Sequence, residues 1–364
     1  MDASSTSDFL VKRDNLSEVR WAPAQTRSDE TLADGEVLLG IDRYAFTANN
    51  ITYGLVGDLA QYWAFFPAEQ GWGRLPVWGH ADVVASRVQG LSEGQRIFGY
   101  LPMSPYLKVR PDHVGESGFR DATPHRQPLP AVYQQYAKTR HGDPHEDLRA
   151  LLQPLFLTGW LIDDWLVENK LFGARQVLLG SASSKTALST AFALSRHAAR
   201  SFEVVGLTSA RNRDFCQRTG YYDRVVAYDE LKTLPAETPS VFVDMSGSAE
   251  VRRDVHQHFR DALRFSSSVG MSHGTLAAPE PLPGPASEFF FAPAHIEQRI
   301  AQLGAAELNK RQSQSISAFF GSALTWLEAT RVQGAAEIEA LYQRTLAGQV
   351  PPSQGSIVSL RSER

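Results

Sequence analysis

Residues 174–195, ARQVLLGSASSKTALSTAFALS, constrain this chain more than any other stretch. They read as a strand, a tight polar turn and a helix. Val177, Leu178 and Leu179 form a short apolar run of the kind buried in a parallel sheet. Gly180 permits a sharp turn, and Ser181, Ser183, Ser184, Lys185 and Thr186 crowd the start of an Ala/Leu-rich segment. Unpaired backbone N–H groups at a helix start attract anions, and hydroxyls with one ammonium add further donors. A phosphate-bearing cofactor is the natural ligand of such a junction. The plain alternative is a Ser-capped helix that binds nothing.

Two nucleotide-binding designs compete for these residues. Gly180, four residues and then Lys185-Thr186 look like a P-loop, and VFVDMSG at 241–247 looks like the metal-binding strand that accompanies one. A P-loop, however, places a second glycine directly before the lysine. That glycine is missing. The dinucleotide pattern G-x-G-x-x-G is not met literally either.

The next strand favours the dinucleotide. Residues 202–209, FEVVGLTS, complete a strand–helix–strand unit in about the thirty residues that such a crossover needs. In an NAD site the second strand ends in Asp or Glu, which accepts from the ribose hydroxyls. Here Thr208, Ser209, Ala210, Arg211, Asn212 and Arg213 follow, with no carboxylate before Asp214. A serine hydroxyl and planar arginine forks suit a 2′-phosphate, so NADP(H) is expected over NAD(H). A solvated basic helix start is the competing reading.

With these residues in view, the chain resembles a zinc-independent medium-chain dehydrogenase/reductase, close to the quinone oxidoreductases and enoyl reductases. More narrowly it resembles the bacterial proteins grouped as DUF2855. In the superfamily a turn such as G-A-A-G-G-V-G opens the cofactor domain, and GSASSKT at 180–186 occupies that slot. Ser183 and Ser184 stand where glycines are usual, and Thr186 stands at the third glycine. VFVDMSG resembles the superfamily strand beside the nicotinamide half, which gives Ser246 and Gly247 a cofactor-binding reading without a metal. Further matches are GEVLLGID at 35–42, AFTANNITYG at 45–54, LPVWGHADVVA at 75–85 and LSEGQRIFGY at 91–100. Their shared order is the stronger signal.

The resemblance implies an α/β architecture: a GroES-like, β-rich catalytic domain at 1–152 and 289–364, and a doubly wound Rossmann domain at 153–288. It also implies hydride transfer from NADP(H) to an activated alkene, quinone or ketone. The alternatives are a non-redox enzyme and a non-catalytic NADP-binding protein on the same fold, with a P-loop NTPase behind both.

Composition agrees. A chain of 364 residues with 43% hydrophobic residues suits two domains with ordinary cores. Net charge is −4 with no long run of one sign, which disfavours nucleic acid as the main partner. Cys216 is the only cysteine, so an internal disulfide and a cysteine-based zinc site are excluded. Four of the ten histidines, His113, His125, His141 and His145, fall in residues 111–147 in no metal-binding spacing. No metal is expected. The first residues, MDASSTSDFLVKRDN, lack the apolar core of a signal peptide, and no stretch is apolar enough to span a membrane. The expected setting is cytoplasmic, with a small-molecule substrate and a homodimer as one possible assembly.

Several segments carry their own expectations. Residues 1–30 read as an edge strand and loop, and 35–110 as short strands punctuated by Gly and Pro. Residues 111–147 read as a surface insertion. From Leu148 the text turns helical; adjacent Asp163 and Asp164 point to different sides of that helix and read as a solvated face. Residues 294–304 and 317–346 read as helices, and the chain from Pro351 as a strand or loose tail.

Chemistry is placed by the resemblance at 45–55. Tyr53 is the candidate proton donor, directly or through the cofactor ribose, while Asn49, Asn50 and Thr52 are candidates to position substrate. The competing reading of Tyr53 is a half-buried ring capping the barrel. His80 and Tyr100 are further candidates with structural readings. Tyr62, Trp63, Phe65, Phe66, Trp72 and Trp78 are either core or the walls of an apolar substrate pocket.

Overall fold

The computed structural model describes residues 5–27, 31–269 and 281–360. The chain divides into two compact units, Met1–Leu151 with Glu328–Arg364, and Leu152–Leu327.

The first unit opens with β1 (Ser7–Lys12) and β2 (Asn15–Pro23), an antiparallel hairpin that buries Phe9, Leu10 and Val11. After β3 (Val37–Phe46) comes the short helix α1 (Ala48–Leu55). Its start is fixed by a capping box, in which Asn50 Oδ1 accepts from the Thr47 N–H at 2.8 Å. Next, β4 (Trp72–Gly73) pairs with β1, and β5 (Pro76–Ser86), β6 (Arg96–Pro102) and β7 (Tyr106–Val109) follow. β8 (Pro111–Asp112), β9 (Gly118–Asp121) and β10 (Gln135–Thr139) complete this part.

Helix α2 (Glu146–Glu168) carries the chain onward, and its first turn is tied down by charge. Arg96, only 2% exposed, donates to Glu146 Oε1 and Asp42 Oδ2 at 2.7 Å each, and to Asp82 Oδ1 at 3.2 Å. Three carboxylates around one guanidinium satisfy a buried charge that would otherwise be costly.

The second unit alternates strand and helix. β11 (Gln176–Gly180), α3 (Lys185–Ser195), β12 (Glu203–Thr208), α4 (Arg213–Thr219) and β13 (Arg224–Ala227) form its first half. β14 (Ser240–Asp244), α5 (Ala249–Phe259), β15 (Leu263–Ser268) and β16 (Ser287–Phe289) form the second. Among the described residues the order is β13-β12-β11-β14-β15-β16, and every neighbouring pair is parallel. Strand order reverses between β11 and β14, the switch point at which doubly wound sheets bind ligands. Val205, Leu207, Phe242 and Val255 lie in the core of this unit. Helices α6 (Ala292–Leu303) and α7 (Ala305–Ala323) close it. The sequence reading returns the chain to the first unit at 289; the contacts keep it in the second through Leu327.

β17 (Glu328–Gln333), α8 (Ala335–Leu346) and β18 (Gln354–Ser359) belong to the first unit. Its main sheet runs β17-β18-β3-β5-β6-β10-β9-β8, with β7 also on β3, among the described residues. The fold class is therefore α/β, made of a sheet-rich unit and a unit built on a doubly wound parallel sheet.

Four local expectations change. Residues 111–147 are not a surface insertion, because β9 and β10 extend the main sheet and bury Phe119 and Tyr136. Asp163 and Asp164 do take different sides of α2, but neither is solvated: Asp163 is buried against His197 at 2.7 Å, and Asp164 meets Arg299 at 2.7 Å. Residues 317–346 are not one helix, since β17 interrupts them and pairs in parallel with β18. The segment at 1–30 places β1 between β2 and β4 rather than at an edge; residues 1–4 and 28–30 of it lie outside the described residues.

Candidate nucleotide-binding site

The carboxyl ends of β11 and β14 bring Gly180 beside Asp244. A β-carbon on Gly180 would stand 3.0 Å from Asp244 Oδ1 and 3.3 Å from the Phe242 ring, tighter than side-chain carbons ordinarily pack, so the close strand approach favours glycine. The left-handed residue of the turn is Ser181, with φ 53°. A side chain in that conformation costs about 1–2 kcal/mol, so the turn must be held. The Ser181 N–H donates to the Tyr228 hydroxyl at 3.0 Å, and its carbonyl accepts from the Ser184 N–H at 2.8 Å. Burial pushes the Tyr228 phenol up to about 12, so it keeps its proton.

The rest of the turn packs on β12. The Ala182 N–H donates to Leu207 O at 2.9 Å, and the Tyr222 hydroxyl donates to Ala182 O at 2.7 Å. Gly206 makes room, since a β-carbon there would stand 2.9 Å from that of Ala182. Ser184 caps α3 by accepting from the Ala187 N–H at 3.2 Å, and Ser183 accepts from Asn212 Nδ2 at 3.0 Å. Lys185 and Thr186 form the first turn of α3, both partly buried. Loss of water around it pulls the Lys185 ammonium down to about 8.

The end of β12 sorts the remaining candidates. Thr208 is 1% exposed and its hydroxyl bonds the Cys216 thiol, which makes it a core residue. The Ser209 Oγ is buried and has no partner among the described residues. Arg211 is exposed. Arg213 is committed to Glu230, with contacts of 3.0 and 2.8 Å.

Past β14, Asp244 Oδ1 accepts from the Ser246 N–H at 2.8 Å and from its hydroxyl at 2.5 Å. Gly247 follows with φ 65°, and Ser248 caps α5. Burial raises the Asp244 carboxyl above its ordinary range despite these donors, and its Oδ2 has no partner among the described residues. Tyr222, Tyr228 and Asn212 were missed from sequence. Only the tyrosines' position flanking a short strand hinted at a role.

In the first unit, the Asn50 side chain is spent on the α1 cap and on Pro76 O, to which it donates at 2.9 Å. Thr52 donates to Ala48 O at 3.4 Å. Tyr53 is 6% exposed; its oxygen accepts from Trp78 Nε1 at 3.3 Å, and Asn49 also bonds it. Burial raises its phenol well above the usual range. His80 is fully buried against α2 and held neutral, pushed down to about 3 by loss of water and by Arg96. Tyr100, Trp63, Phe65 and Phe66 are core residues, whereas Tyr62, Trp72 and Trp78 are half-buried. Among the described residues no group of three or more His, Cys, Asp or Glu is arranged to hold a metal. None of their helices is long and apolar enough to cross a membrane.

Solved structures share this two-unit fold over nearly the full length of the chain. CurA from Vibrio vulnificus, in complex with NADPH, is 12% identical with a TM-score of 0.62, covering 98% of this chain and 100% of that one. The yhdH oxidoreductase from Salmonella enterica, in complex with NADP, is 13% identical with a TM-score of 0.53, covering 98% and 100%. An enoyl thioester reductase from Candida tropicalis, in a mutant form, is 10% identical with a TM-score of 0.57, covering 97% and 99%. Residues 44–351 match the family described as "Protein of unknown function (DUF2855)", and the chain belongs to that family. Comparison with curated proteins gives no match.

Proposed function

We propose that the protein is an NADP(H)-dependent oxidoreductase that reduces an activated alkene, quinone or ketone, without zinc, in the cytoplasm. The observation that carries the cofactor choice is Ser209. Its buried, unpartnered hydroxyl stands at the end of the second strand, where an NAD site has a carboxylate. Arg211, exposed two residues further on, supplies the charge a 2′-phosphate needs. Arg213 contributes less because Glu230 already holds it. Similar structures in complex with NADPH or NADP support the same cofactor.

The turn residues take complementary roles. The braced Ser181–Ser184 turn presents backbone N–H groups at the start of α3, and Lys185 adds a positive charge for the pyrophosphate or the 2′-phosphate. Gly180 and Gly247 keep the backbone close, while Ser246 holds Asp244. When bound, the cofactor supplies a hydride to an electron-poor carbon of the substrate. The chain supplies the proton, and Tyr53 is our proposed donor: burial keeps its phenol protonated, so it has a proton to give. Asn50 fixes the helix that carries Tyr53, and Thr52 contacts substrate.

A second reading, an NADP-binding protein without catalysis, is favoured by the burial of Tyr53. Titration calorimetry with NADPH and NADH tests the cofactor. Loss of reduced-nicotinamide absorbance with enones, quinones and ketones tests the reaction. Tight NADPH binding with no turnover across that panel selects the second reading.

A further inference from the structure

We infer that the sheet-rich unit binds a planar aromatic carbonyl compound on a platform of tyrosines. As the substrate class this rests on the oxidoreductase reading; as a binding site it stands without it. Five side chains from separate segments converge. Tyr53 comes from α1, Tyr62 from the turn after it, Trp78 and Tyr100 from paired positions on β5 and β6, and Tyr133 from the turn before β10. Ring centroids lie 4.5 Å apart for Tyr53 and Tyr62, 4.6 Å for Tyr100 and Tyr133, and 5.2 Å for Trp78 and Tyr100. Tyr62, Trp78 and Tyr133 are half-buried, so aromatic surface reaches the edge of the cluster. The chain enters Tyr62 through Gln61, whose φ of 60° is left-handed, the kind of local strain that clusters at ligand sites.

The hydroxyls show what the platform lacks. Tyr62 and Tyr133 share one hydrogen bond at 3.1 Å, which uses one of their two protons. The Trp78 N–H donates to Tyr53, so that contact consumes no phenol proton. Tyr100 is fully buried, and its hydroxyl has no partner among the described residues. It lies near enough to the phenols of Tyr53, Tyr62 and Tyr133 to be perturbed by them. A sheet that needed only packing would place Leu or Phe here, because a buried donor without an acceptor is unfavourable. The cluster therefore offers aromatic faces and spare neutral donors.

The complement is a π-surface bearing an acceptor oxygen, which is an aryl-conjugated carbonyl. A straight aliphatic chain would forgo stacking, and a carboxylate would lose its hydration to neutral phenols alone.

Calorimetry without NADP(H), using benzylideneacetone and a straight-chain enone of equal carbon number, tests the site directly. The aryl enone should bind about tenfold tighter, the scale of one stacking and one hydrogen-bond contact. Tyr100→Phe, which keeps the ring and removes one donor, should weaken the aryl enone by about fivefold while the melting temperature holds or rises. Tyr133→Leu should weaken it as well; if that variant fails to fold, Tyr100→Phe decides. Equal affinities for the two enones, no binding of either, or an unchanged affinity in Tyr100→Phe would overturn the proposal. NADPH titration of the same samples reports the cofactor reading separately.

Discussion

Asn212 Nδ2 donates to the Ser183 hydroxyl at 3.0 Å, joining the segment after β12 to the turn after β11. The bond links the part of the site proposed for the 2′-phosphate to the part proposed for the pyrophosphate. Its partner atoms come from loops 29 residues apart in sequence. Removing it should loosen the turn rather than alter the choice between cofactors. Asn212→Ala is expected to weaken NADPH and NADH alike, by about 0.5–1.5 kcal/mol, the net worth of one neutral hydrogen bond. Calorimetry showing a loss for NADPH alone would move Asn212 into 2′-phosphate recognition.

The two arginines should separate. Arg211→Ala is expected to weaken NADPH by about 1.5–3 kcal/mol, the value of a charge-assisted hydrogen bond, and to leave NADH unchanged. Arg213→Ala should do less, because Glu230 competes for that guanidinium at 2.8 Å. A larger effect at Arg213 than at Arg211 would reverse the assignment.

Lys185 predicts a pH dependence of binding. Burial depresses its folded-state value to about 8, below the 10.5 of a free lysine. Burial of the ammonium therefore costs stability fully below about 8, and that cost fades as pH rises toward the free value. A bound phosphate prefers the charged form, so NADPH affinity should fall as pH rises through about 8. Lys185→Met should bind more weakly and lose this slope; an identical pH profile in the variant would remove Lys185 from the phosphate site.

Tyr53 is tested by subtraction. Tyr53→Phe should reduce turnover by about a hundredfold or more, the usual contribution of a positioned acid, with NADPH affinity intact. Turnover within about threefold of the parent would leave Tyr53 a core ring accepting the Trp78 N–H.

The charge cluster at the start of α2 concerns stability. Arg96→Ala leaves Glu146, Asp42 and Asp82 without their shared partner and should cost about 3–5 kcal/mol in denaturant unfolding. Burial raises the Asp42 carboxyl, but bonds to Arg96 and Arg43 outweigh it and hold it below its ordinary range. Its contribution is therefore present above the unfolded value of 3.8 and is lost as pH falls through the lower folded one. Acid unfolding unchanged by Asp42→Asn would contradict this.

The sequence by itself determined the strand–turn–helix at Gly180, the second strand ending at Ser209 without a carboxylate, and the order of elements around them. Each of those features is local: an apolar run, a glycine, a cap and the absence of one acid are each legible within a few residues. Tertiary structure decided the rest. Gly180 is favoured by the close approach of Asp244, 64 residues away in the chain. The left-handed Ser181 is held by Tyr228, and Arg213 is turned aside by Glu230. Asp163 and Asp164, which read as solvated, are held by distant partners: His197, just past the end of α3, and Arg299 on α6. Long-range pairing obeys packing and charge balance, and no local pattern records which distant side chain will satisfy a buried polar atom.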